Sequence, residues 1–258
     1  MSQVGLLGGQ VRATNKAFWR NPASAFFTFA FPLMFLVIFT SLLGSGRVEV
    51  APGVFIQQDA YYVAAMSAFS VITATYTNLA ISVTFTRDLG ILKRTRGTPL
   101  PGGTYLAGRV IHAVAVAVLL VAITSAFGVL FYDAQFPQGV HLLEHLVTVM
   151  VGAMAFAALG LATTAIVPNA EAAPAIVNAI ILPLLFLSGI FIPLGADAPE
   201  WMKFIGNVFP VKHFAEAMLG SFYGPPFPFQ WSDVLVVAAW GIGGLIAAIL
   251  FFSWEPRK

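Results

Sequence analysis

The pentapeptide His141-Leu-Leu-Glu-His145 places two imidazoles four residues apart, with a carboxylate between them. On a helix that spacing puts both rings on one face, and H-x-x-E-H is a zinc-peptidase signature in which the Glu acts as base. A third ligand would have to come from elsewhere in a chain with only four His, and no acid lies within the apolar interior of the later segments. His and Glu are also ordinary residues where a helix enters an interface, and short patterns recur by chance. The adopted reading is no metal site. A membrane metallopeptidase built on His141, Glu144 and His145 is the remote alternative. With no Cys, the chain has no thiolate nucleophile, Cys-ligated metal or disulfide.

A second stretch, Arg87-Asp-Leu-Gly-Ile-Leu-Lys-Arg-Thr-Arg-Gly-Thr-Pro-Leu-Pro101, concentrates base in a short polar segment. Read as a helix over 87–98, it sets Leu89, Leu92 and Arg96 on or near one face. Arg87, Lys93 and Arg94 are then free to meet another surface. Thr98-Pro99 and Pro101-Gly102-Gly103 end it. Asp88 falls near the start of that helix, where it either caps orphan N–H groups or pairs with a basic partner. A plain basic loop that only fixes orientation explains the composition equally well.

The elements around these residues follow from composition. Hydrophobic residues make up 59% of the 258 and charged residues 9%, against about 25% charged in an ordinary soluble domain. So few charges cannot cover a soluble surface, and the slight excess of base does not indicate nucleic acid as a partner. Six apolar runs are long enough to cross a membrane, at 25–43, 62–85, 110–131, 146–167, 172–192 and 234–252. Backbone groups in a bilayer must bond internally, and no alternating pattern supports a barrel, so the expectation is an all-α polytopic membrane protein. The chain 1–258 reads as a single transmembrane domain. Pro32 and Pro183 fall inside the first and fifth spans, where they should kink them.

Ten of the thirteen basic residues fall in the N-terminal segment, the loop after the second span and the C-terminal tail. Eight of the eleven acids fall in the alternate loops. An even number of spans with both ends in the cytoplasm, in the plasma (inner) membrane, accounts for both facts. Residues 1–22 interleave Leu7, Val11 and Phe18 with Arg12, Lys16 and Arg20, as an amphipathic interfacial helix would. Residues 193–231 are too apolar for a solvated loop and too broken by Gly and Pro to span. Short re-entrant helices in the outer leaflet fit them. Within the spans, Ser67, Ser70, Thr73, Thr77 and Thr84 form a polar stripe, with Asn78 beside it and Asn178 in the fifth span. Ser70, Thr73, Thr77, Asn78 and Asn178 could line a substrate route; bonding to a neighbouring helix is the other role for such residues. Charge is almost absent from the spans, with Arg109 and Glu171 at their inner ends, which counts against an ion-coupled carrier.

The Arg87–Pro101 segment resembles the cytoplasmic coupling region of ABC type-2 exporter permeases, where an Arg-Glu, Gly, Leu-Lys-Arg, Thr-Pro-Leu pattern joins the second and third spans. Phe186-Leu-Ser-Gly-Ile-Phe-Ile-Pro-Leu194, Ala198–Phe204 and Asn207–Met218 are similar to that family's fifth-span exit and re-entrant helices, with Gly189, Pro193 and Pro210 as markers. The nearest flavour is the bacterial drug-resistance, daunorubicin-exporter type. Asp88 stands where the family often has Glu, and Leu89 where a charged residue is common. The resemblance implies the membrane subunit of an exporter of a hydrophobic or amphiphilic drug or lipid. It also implies a second permease copy, as homodimer or heterodimer, and separate ATPase subunits that bring ATP and Mg. Arg87, Asp88, Gly90, Lys93, Arg94 and Glu171 would couple to those subunits. The chain itself carries no Gly-x-x-x-x-Gly-Lys-Ser/Thr loop and is not expected to be an enzyme. The alternative is a secondary transporter or channel that needs no ATPase.

Overall fold

The apolar runs fold as helices because helices alone satisfy their own backbone without water. The computed structural model describes residues 3–43, 46–51, 53–132, 134–194, 198–223 and 229–255. In order these form α1 (Gln3–Trp19), α2 (Pro22–Leu43), a hairpin of β1 (Arg47–Ala51) and β2 (Val54–Gln57), and then one continuous helix, Gln58–Asp88. That helix consists of α3 (Gln58–Ile72), a π-helical turn (Thr73–Thr77) and α4 (Asn78–Asp88). There follow α5 (Ile91–Arg96), α6 (Gly102–Phe131), α7 (Val140–Thr163), α8 (Ala173–Phe186), α9 (Glu200–Val208), α10 (Pro210–Tyr223) and α11 (Trp231–Phe251).

Five of these are long and apolar enough to cross a membrane: α2, Gln58–Asp88, α6, α7 and α11. The expected fifth span, 172–192, is helical only over the 14 residues of α8, about 21 Å at the usual rise. The Ser188 hydroxyl ends it by donating to the Leu185 carbonyl at 2.8 Å and accepting the Ile190 N–H at 3.3 Å. Gly189 then turns the chain with φ 83°. The expected third span lengthens at its start, because Gly102–Arg109 continue the helix where only Val110 onward is apolar. The hairpin was not foreseen.

Gln58–Asp88 is the central stave. Every residue from Ala60 to Ile72 is buried, as a helix surrounded by others requires. The most apolar window of α2 is only 17% buried, against 67% for the central helix, so α2 lies at the edge. α7 and α11 pack backbone to backbone: a Cβ added to Gly241 would lie 2.7 Å from Ala155 Cβ, and one added to Gly244 would lie 2.9 Å from Leu159. α10 is a buried helix whose Phe214 ring occupies the space a Cβ on Gly152 would need. α1 lays Gln10 over Gly108 of α6 and packs Phe18 against His112 and Phe29, while Arg12, Lys16 and Arg20 stay exposed.

Candidate functional site

At the end of the bundle that carries α5, the structure divides the basic segment differently from the helix expected over 87–98. Arg87 and Asp88 close α4, Gly90 takes a left-handed φ of 70°, and only Ile91–Arg96 form the separate helix. The reason is backbone: the Gly90 N–H bonds back to the Arg87 carbonyl at 2.9 Å, so the preceding helix stops there. Leu89 and Leu92 do not share a face, since Leu89 is 63% exposed and Leu92 is fully buried. Lys93, Arg94 and Arg96 are exposed.

Arg87 does not face outward. It is fully buried, and its guanidinium donates to the carbonyls of Thr164 (2.8 Å), Val167 (2.6 Å) and Pro168 (3.5 Å) just beyond α7. These carbonyls lie at and just past a helix C-terminus, where the dipole favours a cation. Asp88 does not cap its own helix; its Oδ2 accepts the Ala170 N–H at 2.8 Å. Adjacent residues of opposite charge thus grip the 164–170 turn, one by its acceptors and one by a donor. Glu171, next along that turn, is exposed.

Farther into the bundle, Thr73, Thr77, Asn78 and Asn178 come together on a groove of about 540 Å³ between α2, the central helix and α8. Phe27, Phe31, Phe69, Ile81, Leu182 and Leu185 supply its apolar walls. Ser70 lies outside this groove, fully buried, with its hydroxyl donating to the Met66 carbonyl at 2.7 Å. Ser67, Thr73 and Thr84 also bond carbonyls of their own helix. The π turn fixes where this polar band faces. A Cβ on Gly160 of α7 would lie 2.7 Å from the Tyr76 carbonyl oxygen, so the turn seats directly on a glycine. The Thr163 hydroxyl donates to Tyr76 Oη at 3.1 Å on the same contact.

At the opposite end, the His141–His145 pattern does not converge. His141 Nδ1 lies 2.7 Å from Glu144 Oε2, whereas His145 turns into the core with Nδ1 3.0 Å from Ser221 Oγ and its ring edge-on to Phe222. Among the described residues, the group that does converge is His213, Glu216 and Asp233, with ligand atoms within 4.8 Å of one another. His213 bridges Asp233 Oδ1 (2.7 Å) and the Asn207 carbonyl (2.9 Å). The Lys212 ammonium donates to Asn207 Oδ1 at 2.6 Å and sits 3.6 Å from Glu216. That ammonium supplies the positive charge a metal would bring, and the group ties α9, α10 and α11 together. Burial holds the Glu216 carboxyl above the usual range, while Lys212 works against the shift. Gly189 and Pro193 line a small cavity beside this network, and the buried Pro210 opens α10. Sequence spacing could not find the network, because its members come from three elements.

Two comparisons with known proteins bear on this arrangement. The sequence model of the ABC-2 type transporter family matches residues 10–223. The chain is also 25% identical over 241 residues to a protein described as a transport permease, YvfS of Bacillus subtilis (strain 168), an alignment that covers 92% of this chain and 93% of that protein.

Proposed function

The chain belongs to the ABC-2 type transporter family, and from that premise we propose that it is the permease subunit of an ATP-driven exporter carrying a hydrophobic or amphiphilic substrate out of the cytoplasm. It is a multi-pass membrane component that works with ABC ATPase subunits rather than the ATPase itself. The observation that carries the finer reading is the groove: apolar walls with a short polar band of Thr73, Thr77, Asn78 and Asn178, at the edge of the bundle against the little-buried α2. A pocket of that make-up suits a largely apolar ligand oriented by a few polar contacts. In this reading α8 and the apolar residues 187–192 together make the fifth of six spans, and α9 and α10 are re-entrant on the outer side. The basic end, with both termini, faces the cytoplasm of the plasma membrane. The segments 195–197 and 224–228 and the tail from 256 lie outside the described residues.

The coupling face in this reading is α1, the exposed side of α5 with Lys93 and Arg94, and the turn at 168–171 with Glu171. Force applied to α5 passes through Gly90 to α4. Through the Arg87 and Asp88 contacts it reaches the turn that leads into α8. α4 and α8 pack against each other and both line the groove, so one displacement at the ATPase contact moves both. A second permease copy would complete the unit against the exposed face of α2.

The test fills the groove. Thr77→Trp and Asn178→Trp should abolish ATP-dependent movement of fluorescent lipophilic probes in inverted membrane vesicles, while membrane insertion and capture of the ATPase subunit stay normal. Probe movement at the wild-type rate in both variants would remove the groove from the substrate route.

A further inference from the structure

Arg109, on the second turn of α6, has no carboxylate partner among the described residues. Its Nη1 donates to two neutral hydroxyls, Tyr105 Oη at 2.7 Å and Thr86 Oγ1 at 3.2 Å, and its Nε is buried with no hydrogen-bond partner. The guanidinium carbon stands 5.7 Å from the centre of the Tyr105 ring. A half-buried cation beside neutral groups is stabilised less than one meeting an anion, since charge-assisted pairs are roughly twice as strong as neutral ones.

The guanidinium borders a cavity of about 200 Å³ whose polar lining includes Thr14, Asn21 and His112. Ser24, Asn78 and Ser82 line both this cavity and the apolar groove, so the two adjoin across these three residues. The combined space has an uncompensated positive charge at the basic end and an aromatic, aliphatic wall beyond it. That is the complement of a molecule with an anionic head and an apolar tail.

We infer that the cargo is an anionic amphiphile, with a phosphate or carboxylate head held by Arg109 in the smaller cavity and its tail lying in the groove. This rests on the groove being the substrate route, as proposed above. The same head chemistry could come from a phospholipid of the surrounding bilayer, reached by a snorkelling arginine.

The experiment uses the full chain in neutral maltoside micelles and two probes with one labelled dodecyl tail, a dodecyl phosphate and a dodecylphosphocholine. The wild type should bind the phosphate probe roughly tenfold more tightly. Arg109→Gln should remove that preference while still binding the phosphocholine probe, which also shows that the variant is folded. Arg109→Lys should keep part of the preference, and millimolar inorganic phosphate should not displace the probe. Equal binding of both probes, unchanged by Arg109→Gln, overturns the anionic head and leaves the groove standing. Failure of both probes to bind, or binding indifferent to Thr77→Trp, removes the groove itself. A second arm separates the sources: with the co-purified ATPase and ATP in liposomes, a cargo probe crosses the bilayer and becomes inaccessible to an external quencher. A phosphate probe that binds selectively but never crosses belongs to a resident lipid and overturns the cargo assignment.

Discussion

Replacing Arg87 with Met keeps most of the side-chain volume and deletes the fork that holds the 164–170 turn. Two of its contacts, at 2.8 and 2.6 Å, are charge-assisted bonds to backbone carbonyls, and the third at 3.5 Å is marginal. Bonds to charged groups contribute about 1.5–3 kcal/mol each, and Pro168 and Asn169 beside the fork are exposed, so water can take over part of the loss once the guanidinium is gone. We therefore expect a net cost of about 3 kcal/mol for Arg87→Met. For a chain of this size that is a fall in Tm of about 6–12 °C. Arg87→Lys retains the charge but offers one point donor where the fork offers two, so it should recover about half of the loss. The assay is thermal unfolding of purified protein in detergent. It is paired with a nitroxide placed through a single cysteine at the exposed Glu171, practical because the chain has no Cys of its own. The nitroxide should become more mobile in Arg87→Met. An Arg87→Met protein within about 0.5 kcal/mol of wild type, with the label unchanged, would refute the idea that this residue secures the turn.

Asp88→Ala should cost about 1 kcal/mol by orphaning the Ala170 N–H, whereas Asp88→Asn, which keeps an acceptor oxygen, should cost less; the same unfolding assay reads both. Gly90→Pro removes both the positive φ and the N–H bonded to Arg87, and should cost about 3 kcal/mol and sever ATPase capture. Gly90→Asn, which tolerates that φ and meets nothing within 4 Å of its Cβ, should be far milder. Glu216 holds its proton to higher pH when folded than its ordinary 4.5 allows, so its contribution to stability is full below that value and declines as pH rises through the folded value. Glu216→Gln should flatten that part of the Tm–pH profile; parallel profiles would contradict it. Single cysteines at Gln57 and Gln138, both exposed, should react with an impermeant reagent on intact cells, and one at Thr95 should not.

Five long apolar helices, the basic end and a helical start with its bases exposed were legible because each depends on the local frequency of apolar or charged residues. Arg87 was misread for a physical reason. Its partners are main-chain carbonyls some eighty residues away, and every residue has one, so no side chain advertises the contact. The short α8 escaped notice because hydrophobicity runs on past Phe186 while the Ser188 hydroxyl redirects the backbone. His145 followed the helix spacing but left the pattern once Ser221 offered it a partner from another helix. Of the groove, the sequence carried the polar residues but not their gathering. Arg109 was read as a charge at the inner end of its span, and only the packing of α1 and α4 around it encloses a cavity.

The π turn at Thr73–Thr77 changes the phase of everything after it. A turn of this kind is one residue inserted into an α-helix, which rotates the downstream half by about 100° relative to an uninterrupted helix. Deleting one residue between Thr73 and Thr77 would restore the regular winding and leave Asn78, Ser82 and Arg87 on their present faces, whereas forcing the same five residues into α winding would swing Asn78 and Ser82 away from the groove, and Arg87 away from its carbonyls, all at once. The central helix is therefore two aligned surfaces joined by a fixed angular offset, and that offset sets both what the interior presents to a ligand and what the end grips. Substitutions at these five positions should be judged by whether they keep the extra residue in the winding. A change of side chain alters one contact, whereas loss of the π winding at unchanged length alters the registration of the whole lower half.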